Sequence, residues 1–125
     1  MIKSFRHKLM KTYFALHKEV MKECKSLGLS SGQPKILEYL LENDGVCQKE
    51  IAIHCVIEKA TVGTILDGME QSELIKRERK EGDRRSLFVF LTDLGREKAN
   101  SVSKIFEKLK KKLLKTYPKM IKLLF

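Results

Sequence analysis

Six of the ten residues from Lys76 to Arg85 are basic and three are acidic, and the run contains a Gly82-Asp83 pair that favours a turn. Arginines beside such a tip, here Arg84 and Arg85, suit charge-assisted bonding to a polyanion. They also suit insertion into a narrow minor groove, where the negative potential is enhanced. Asp83 has the wrong sign for that contact, and its expected role is to orient Arg85 across the turn. A second group lies upstream. Lys59 can neutralise a phosphate or reach guanine, and Thr61 and Thr64 can bond to phosphates or base edges. Gln48, at the start of the preceding helical segment, is a candidate phosphate contact. Lys76, Arg77, Arg79 and Lys80 admit two equally weighted readings: DNA contact, or a solvated strand face paired with Glu78 and Glu81.

The elements that must position these residues are legible from periodicity. Residues 2–27 read as one helix, with Ile2, Leu9 and Leu16 in one apolar row, Tyr13, Val20 and Leu27 in another, and Gly28 as its C-cap. Ser30 or Ser31 is expected to cap a second helix near 31–43, with Ile36, Leu37, Leu40 and Leu41 on its apolar face. Asn43-Asp44-Gly45 signals a turn. Two short helices follow, from about Gln48 to His54 and from about Glu58 to Gln71. The second should bury Val62, Ile65, Leu66 and Met69. The link Cys55-Val56-Ile57 allows only a tight turn, so 48–71 is a helix-turn-helix candidate. Alternation then replaces helical spacing. Leu74 to Arg79 and Ser86 to Leu91 read as the strands of a hairpin, making 74–91 a wing. Thr92 is a good N-cap for a long helix striped by Val102, Ile105, Phe106, Leu109, Leu113 and Leu114. Tyr117-Pro118 should end or kink it, with a last helical turn or two over Met120 to Phe125. The fold class predicted is mainly α with a small β-hairpin: a single winged helix-turn-helix domain over 1–125, flanked by helices at 1–28 and 93–125.

The 125-residue chain carries 26 Lys and Arg against 16 Asp and Glu, a net charge of +10. Such an excess points to a polyanion, with nucleic acid ahead of an anionic membrane surface. It sits at the two ends. Residues 1–30 hold seven bases against two acids and residues 93–125 ten against three, whereas residues 58–92 hold seven of each. DNA binding therefore depends on where side chains point. Three scattered histidines, with no Gly-rich phosphate loop and no zinc-hydrolase motif, argue against an enzyme. Cys24, Cys47 and Cys55 are odd in number and lack a Cys-x-x-Cys spacing, which argues against a disulfide scaffold or zinc finger and for free buried thiols. No cofactor or metal is expected. No apolar run approaches the ~20 residues of a membrane span, and the N-terminus lacks a signal-peptide core, so the expected location is the cytoplasm.

Three stretches resemble the MarR (multiple antibiotic resistance regulator) family of winged helix-turn-helix transcription factors. They are Gln48-Lys49-Glu50-Ile51-Ala52 with Ala60 to Glu70, then Leu74-Ile75-Lys76-Arg77, then Asp83-Arg84-Arg85 leading into Leu91-Thr92-Asp93-Leu94-Gly95. The resemblance implies a homodimer entwined through its terminal helices. It implies one winged unit per subunit on a palindromic operator in double-stranded DNA, and a repressor released by a small-molecule effector or by cysteine oxidation. Ser72-Glu73 stands where the family often has a basic residue and then Gly. Cys47 stands where Ser or Thr commonly caps the first motif helix, and the C-terminal region is short for the family.

Dimerisation also answers a physical problem. Ile2, Leu9, Leu16, Leu109, Leu113, Tyr117 and Leu124 would make a large apolar patch on a monomer. The lysine-rich last helix is expected to pair with a partner subunit and leave its lysines in water, in preference to lying on a membrane. By family likeness an effector pocket would draw on Tyr13, His17, Met21 and Tyr39, although a core or interface role is the commoner fate of such residues. Cys24 is the candidate redox sensor, without a neighbouring cysteine to resolve it. The alternative function is a non-catalytic winged-helix module that binds protein without operator binding, supported by the balanced charge of 58–92.

Overall fold

The computed structural model describes residues 2–116 and Pro118, with side chains for all of these except 2, 3 and 83–85. The order is α1 (Ile2–Cys24), a single 3-10 turn (Lys25–Leu27), α2 (Gln33–Glu42), β1 (Val46–Cys47), α3 (Gln48–His54), α4 (Lys59–Gln71), β2 (Ile75–Lys80), β3 (Asp83–Leu91) and α5 (Asp93–Thr116). The chain is thus mainly helical with one small antiparallel sheet, as the periodicity predicts. It divides into two compact units. One holds α1, the 3-10 turn and α5 from Lys104 onward, and the other spans Ser30–Ser103.

The Ser30–Ser103 unit is built on a core of Ile36, Leu37 and Leu40 from α2, Ile51 from α3, Val62, Leu66 and Met69 from α4, and Val89 from β3, all fully buried. Ile65, expected in this core, is only half-buried. The helix starts differ from expectation. Neither Ser30 nor Ser31 caps α2, whose N-cap is Gly32 at φ 87° with Pro34 in the first turn. The entry is instead closed by Gln33. Its backbone N–H donates to the Ser30 carbonyl at 3.1 Å and its side-chain oxygen accepts from the Ser30 N–H at 3.1 Å.

The sheet has the order β1-β3-β2. The two-residue strand β1, too short to show a period in the sequence, pairs Val46 with Val89 and Cys47 with Phe88. β2 and β3 pair from Ile75–Leu91 to Glu78–Phe88, then shift register before Lys80 meets Asp83. The hairpin turn is therefore Glu81-Gly82 and not Gly82-Asp83. Asp83 is drawn into the strand, and Gly82, at φ 87°, takes the left-handed position that costs glycine least.

The start of α5 is locked onto the residues before β2. Thr92 caps as predicted, its Oγ1 accepting from the Gly95 N–H at 2.9 Å. The same hydroxyl donates to the Glu73 carbonyl at 2.6 Å, and the Thr92 N–H donates to the Leu74 carbonyl at 3.1 Å. A Cβ at position 95 would lie 1.8 Å from the Leu74 oxygen, so this approach admits only glycine. Asp44 closes the other side, accepting from the Leu91 N–H at 2.8 Å and pairing with Arg96 at 3.1 Å.

In the other unit, the helix predicted over 2–27 tightens to a 3-10 turn after Cys24, and Gly28 at φ 72° ends it by donating to the Lys25 carbonyl. Val20, Cys24 and Leu109 are buried. Lys108 pairs with Glu23 at 3.3 Å, and Lys112 lies 4.0 Å from Glu19. Phe5, Met10, Tyr13 and Phe14 of α1 are exposed. The expectations for Tyr117 and for Met120 to Phe125 fall outside the described residues. Among the described residues, no helix is long and apolar enough to cross a membrane.

Candidate nucleic-acid interface

The two helices of the motif are joined by a link that closes on backbone bonds. Cys55 N–H donates to Ile51 at 2.9 Å, Val56 to Ile53 at 3.3 Å and Ile57 to Ala52 at 3.0 Å. Val56 takes φ 54°, a left-handed value rare for a β-branched residue, and its side chain stands in solvent at 87% exposure. The turn is sharp enough to impose this conformation.

In α4 the buried stripe Val62, Leu66 and Met69 follows i, i+4, i+7 spacing, and this fixes which face points outward. Lys59, Ala60, Thr61, Thr64, Asp67 and Glu70 are exposed. The Thr64 hydroxyl turns back onto its own helix and donates to the Ala60 carbonyl at 3.2 Å. Gly63 faces α3: a Cβ there would meet Gln48 Nε2 at 3.5 Å, an ordinary contact.

The residue that organises this surface is Arg77 of β2. The sequence suggested DNA contact or pairing with Glu78 and Glu81. Its guanidinium instead lies 2.5 Å from Asp67 and 3.3 Å from Glu70, both on α4, and donates to the Gln48 side-chain oxygen of α3 at 3.4 Å. The Arg77 side chain is only 14% exposed. The Glu70 hydrogen bond raises its already high pKa against the opposing effect of burial, and the Asp67 bond adds to the rise. Nothing in the sequence singled out this network, because its members are 7, 10 and 29 positions apart and meet only through the fold.

Gln48 is therefore half-buried and bound to Arg77, while one side of a cleft of about 300 Å³ brings it together with Lys49 and Lys59. Ser86 and Leu87 of β3 line the same cleft. On the wing, Lys76 pairs with Glu78 at 3.3 Å, as the solvated-face reading expects, and Lys80 lies over the Phe88 ring at 4.2 Å. The side chains of Asp83, Arg84 and Arg85 lie outside the described residues, although β3 begins at Asp83.

The candidate effector residues are divided between the units. Tyr13 and His17, both exposed on α1, stack at 6.3 Å, and Met21 one turn further on is half-buried. Tyr39 stacks instead on His54 at 5.0 Å, and His54 lies 3.6 Å from Glu50. Desolvation raises the Tyr39 hydroxyl's pKa. Cys24 is fully buried, and burial first, then Glu23, pushes its thiol up. Both effects oppose the exposed, low-pKa thiolate that a redox sensor needs. Among the described residues, no group of three His, Cys, Asp or Glu side chains is placed to hold a metal ion.

Comparison with known proteins matches this geometry. The MarR family model covers residues 29–87. The HTH-type transcriptional regulator MgrA of Staphylococcus aureus is 38% identical over 69 residues, 55% of this chain and 47% of that protein. The chain thus spans about half the length of the curated relatives it matches. A MarR transcriptional regulator from Methanosarcina mazei Go1 superposes with a TM-score of 0.82 at 27% identity, over 91% of this chain and 83% of that one. The fold also matches the crystal structure of the S. aureus MepR–DNA complex, with a TM-score of 0.83 at 21% identity over 90% of this chain and 83% of the other. The winged motif cored by α4, the family model lying across it and these relatives make the chain similar to MarR-type winged-helix regulators.

Proposed function

We propose that the chain is a sequence-specific double-stranded DNA-binding transcriptional regulator: a homodimeric, cytoplasmic repressor of a palindromic operator that is released by a small-molecule effector. The observation that carries the reading is the outward face of α4. Lys59, Thr61 and Thr64 stand exposed there, on a helix whose opposite face is locked in the core. A helix so presented docks with its N-terminal half in the major groove. Gln48 would meet the phosphate backbone beside it, and Arg84 and Arg85, the latter oriented by Asp83, would enter the adjacent minor groove. MgrA is a transcriptional regulator and MepR has been crystallised in complex with DNA, and both support the same direction.

A dimer accounts for Phe5, Met10, Tyr13 and Phe14 standing in solvent on α1. Two subunits would present their α4 helices to half-sites about 34–36 Å apart. An effector reaching Tyr13, His17, Met21 or Tyr39 would act by favouring a separation that misses this spacing.

The test is a salt titration of binding to duplex DNA. A regulator loses affinity steeply as salt rises, and Arg85→Ala lowers affinity at every salt concentration. Sedimentation at micromolar concentration should give a dimer, and a monomer would contradict that part of the reading. A second reading, a protein-binding winged module, is favoured by the exposed Ile53 and Val56 at the motif turn. A flat salt response would select it.

A further inference from the structure

The side chains on the outward face of α4 also constrain which bases it can read. In the major groove, guanine is read by Arg or Lys, adenine by Asn or Gln, and cytosine by Asp or Glu; thymine is distinguished by contact with its methyl group. The helix Lys59–Gln71 contains no Arg and no Asn. Its two carboxylates, Asp67 and Glu70, are both held by Arg77 and so are engaged before DNA arrives. Gln48 of α3 also gives its oxygen to Arg77. The groups left on the N-terminal half of α4 are the Lys59 ammonium, the Thr61 hydroxyl, which can serve a phosphate, and the methyls of Ala60, Thr61 and Thr64. Because the Thr64 hydroxyl is bonded to the Ala60 carbonyl, that side chain offers its methyl more readily than its oxygen.

We infer that α4 selects its half-site through thymine C5-methyl groups, packed against Ala60, Thr61 and Thr64, with Lys59 as its single charged contact. The inference rests on the DNA-binding reading and names the base class which that face takes. Apolar methyl packing is worth little per group, so specificity on this helix is built from several weak contacts in place of one bidentate bond.

The experiment selects tight-binding duplexes from a random pool. It then replaces each selected thymine by uracil, which removes the C5 methyl and leaves the minor-groove face unchanged. Any reading by the wing in the minor groove is therefore untouched. The expected half-sites carry thymines where α4 docks, with affinity falling about three- to five-fold for each methyl lost. Thr61→Ser and Thr64→Ser keep the hydroxyl and remove the methyl, so each variant should respond less to uracil at its own position. Selected half-sites fixed by G·C pairs, or an unchanged affinity on uracil duplexes, overturn the inference while leaving the regulator reading intact. If no duplex binds in a salt-dependent way, the regulator reading fails and the inference with it.

Discussion

Arg77 of β2 holds Asp67 of α4 at 2.5 Å and ties the first strand of the wing to the outward helix of the motif. The same guanidinium reaches Glu70 and Gln48, so one side chain joins α3, α4 and β2. Arginine can do this because its planar fork offers five donors in fixed directions.

Replacing it should cost more in geometry than in charge. Asp67 and Glu70 are 64% and 44% exposed, so solvent screens the ion pairs, and Arg77→Ala should lower stability by only about 1 kcal/mol. Arg77→Lys keeps the charge but cannot bond all three partners at once. Both variants should bind DNA more weakly than their melting temperatures alone suggest, because the wing and α4 lose their common strut. Titrations of the two variants against one duplex check this; wild-type affinity in both would refute it.

Gly95 should tolerate no side chain. The Cβ of Gly95→Ala would sit 1.8 Å from a backbone oxygen that cannot swing aside. The strand-to-helix junction must then separate, at a cost of about 3 kcal/mol or more. Thermal unfolding of Gly95→Ala measures it, and a change below about 0.5 kcal/mol would show that the junction is looser than the structure has it.

Glu73 offers the reverse case. It holds φ 61°, where a non-glycine residue is disfavoured by roughly 1–2 kcal/mol. Glu73→Gly relieves that strain but adds backbone freedom to the unfolded chain, so a net gain of about 0.5–1 kcal/mol is expected. The carbonyl that receives the Thr92 hydroxyl is retained. Denaturant midpoints should rise with unchanged slope; a fall would mean that the Glu73 side chain contributes more than its conformation costs.

The cysteines should differ in reactivity and in pH response. Cys24 and Cys55 are buried and Cys47 is half-buried, so a thiol reagent should label Cys47 first in the folded protein and all three in denaturant. Burial raises the Cys24 and Cys55 thiols above their ordinary value. A folded-state value above the unfolded one stabilises fully below the unfolded thiol's pKa, about 8.5, and that contribution fades as pH climbs toward the folded value. Melting temperature should therefore fall less above about pH 9 in Cys24→Ala/Cys55→Ala than in wild type. Equal slopes would assign the alkaline loss to other groups.

The helices and the hairpin were legible because their signal is local. The buried stripe of α4 repeats within thirteen residues, and Thr92 caps the helix that begins beside it. From such patterns the sequence by itself determined the mainly helical fold, the motif and the wing. Tertiary structure decided what depends on distant residues meeting. It paired the short strand β1 with β3, moved the hairpin turn to Glu81-Gly82, made Gly95 obligatory beneath the Leu74 carbonyl and assigned Arg77 to Asp67, Glu70 and Gln48. Periodicity records which face of an element is buried, but an ion pair across 10 or 29 positions leaves no period, because its partners are neighbours only after the chain has folded.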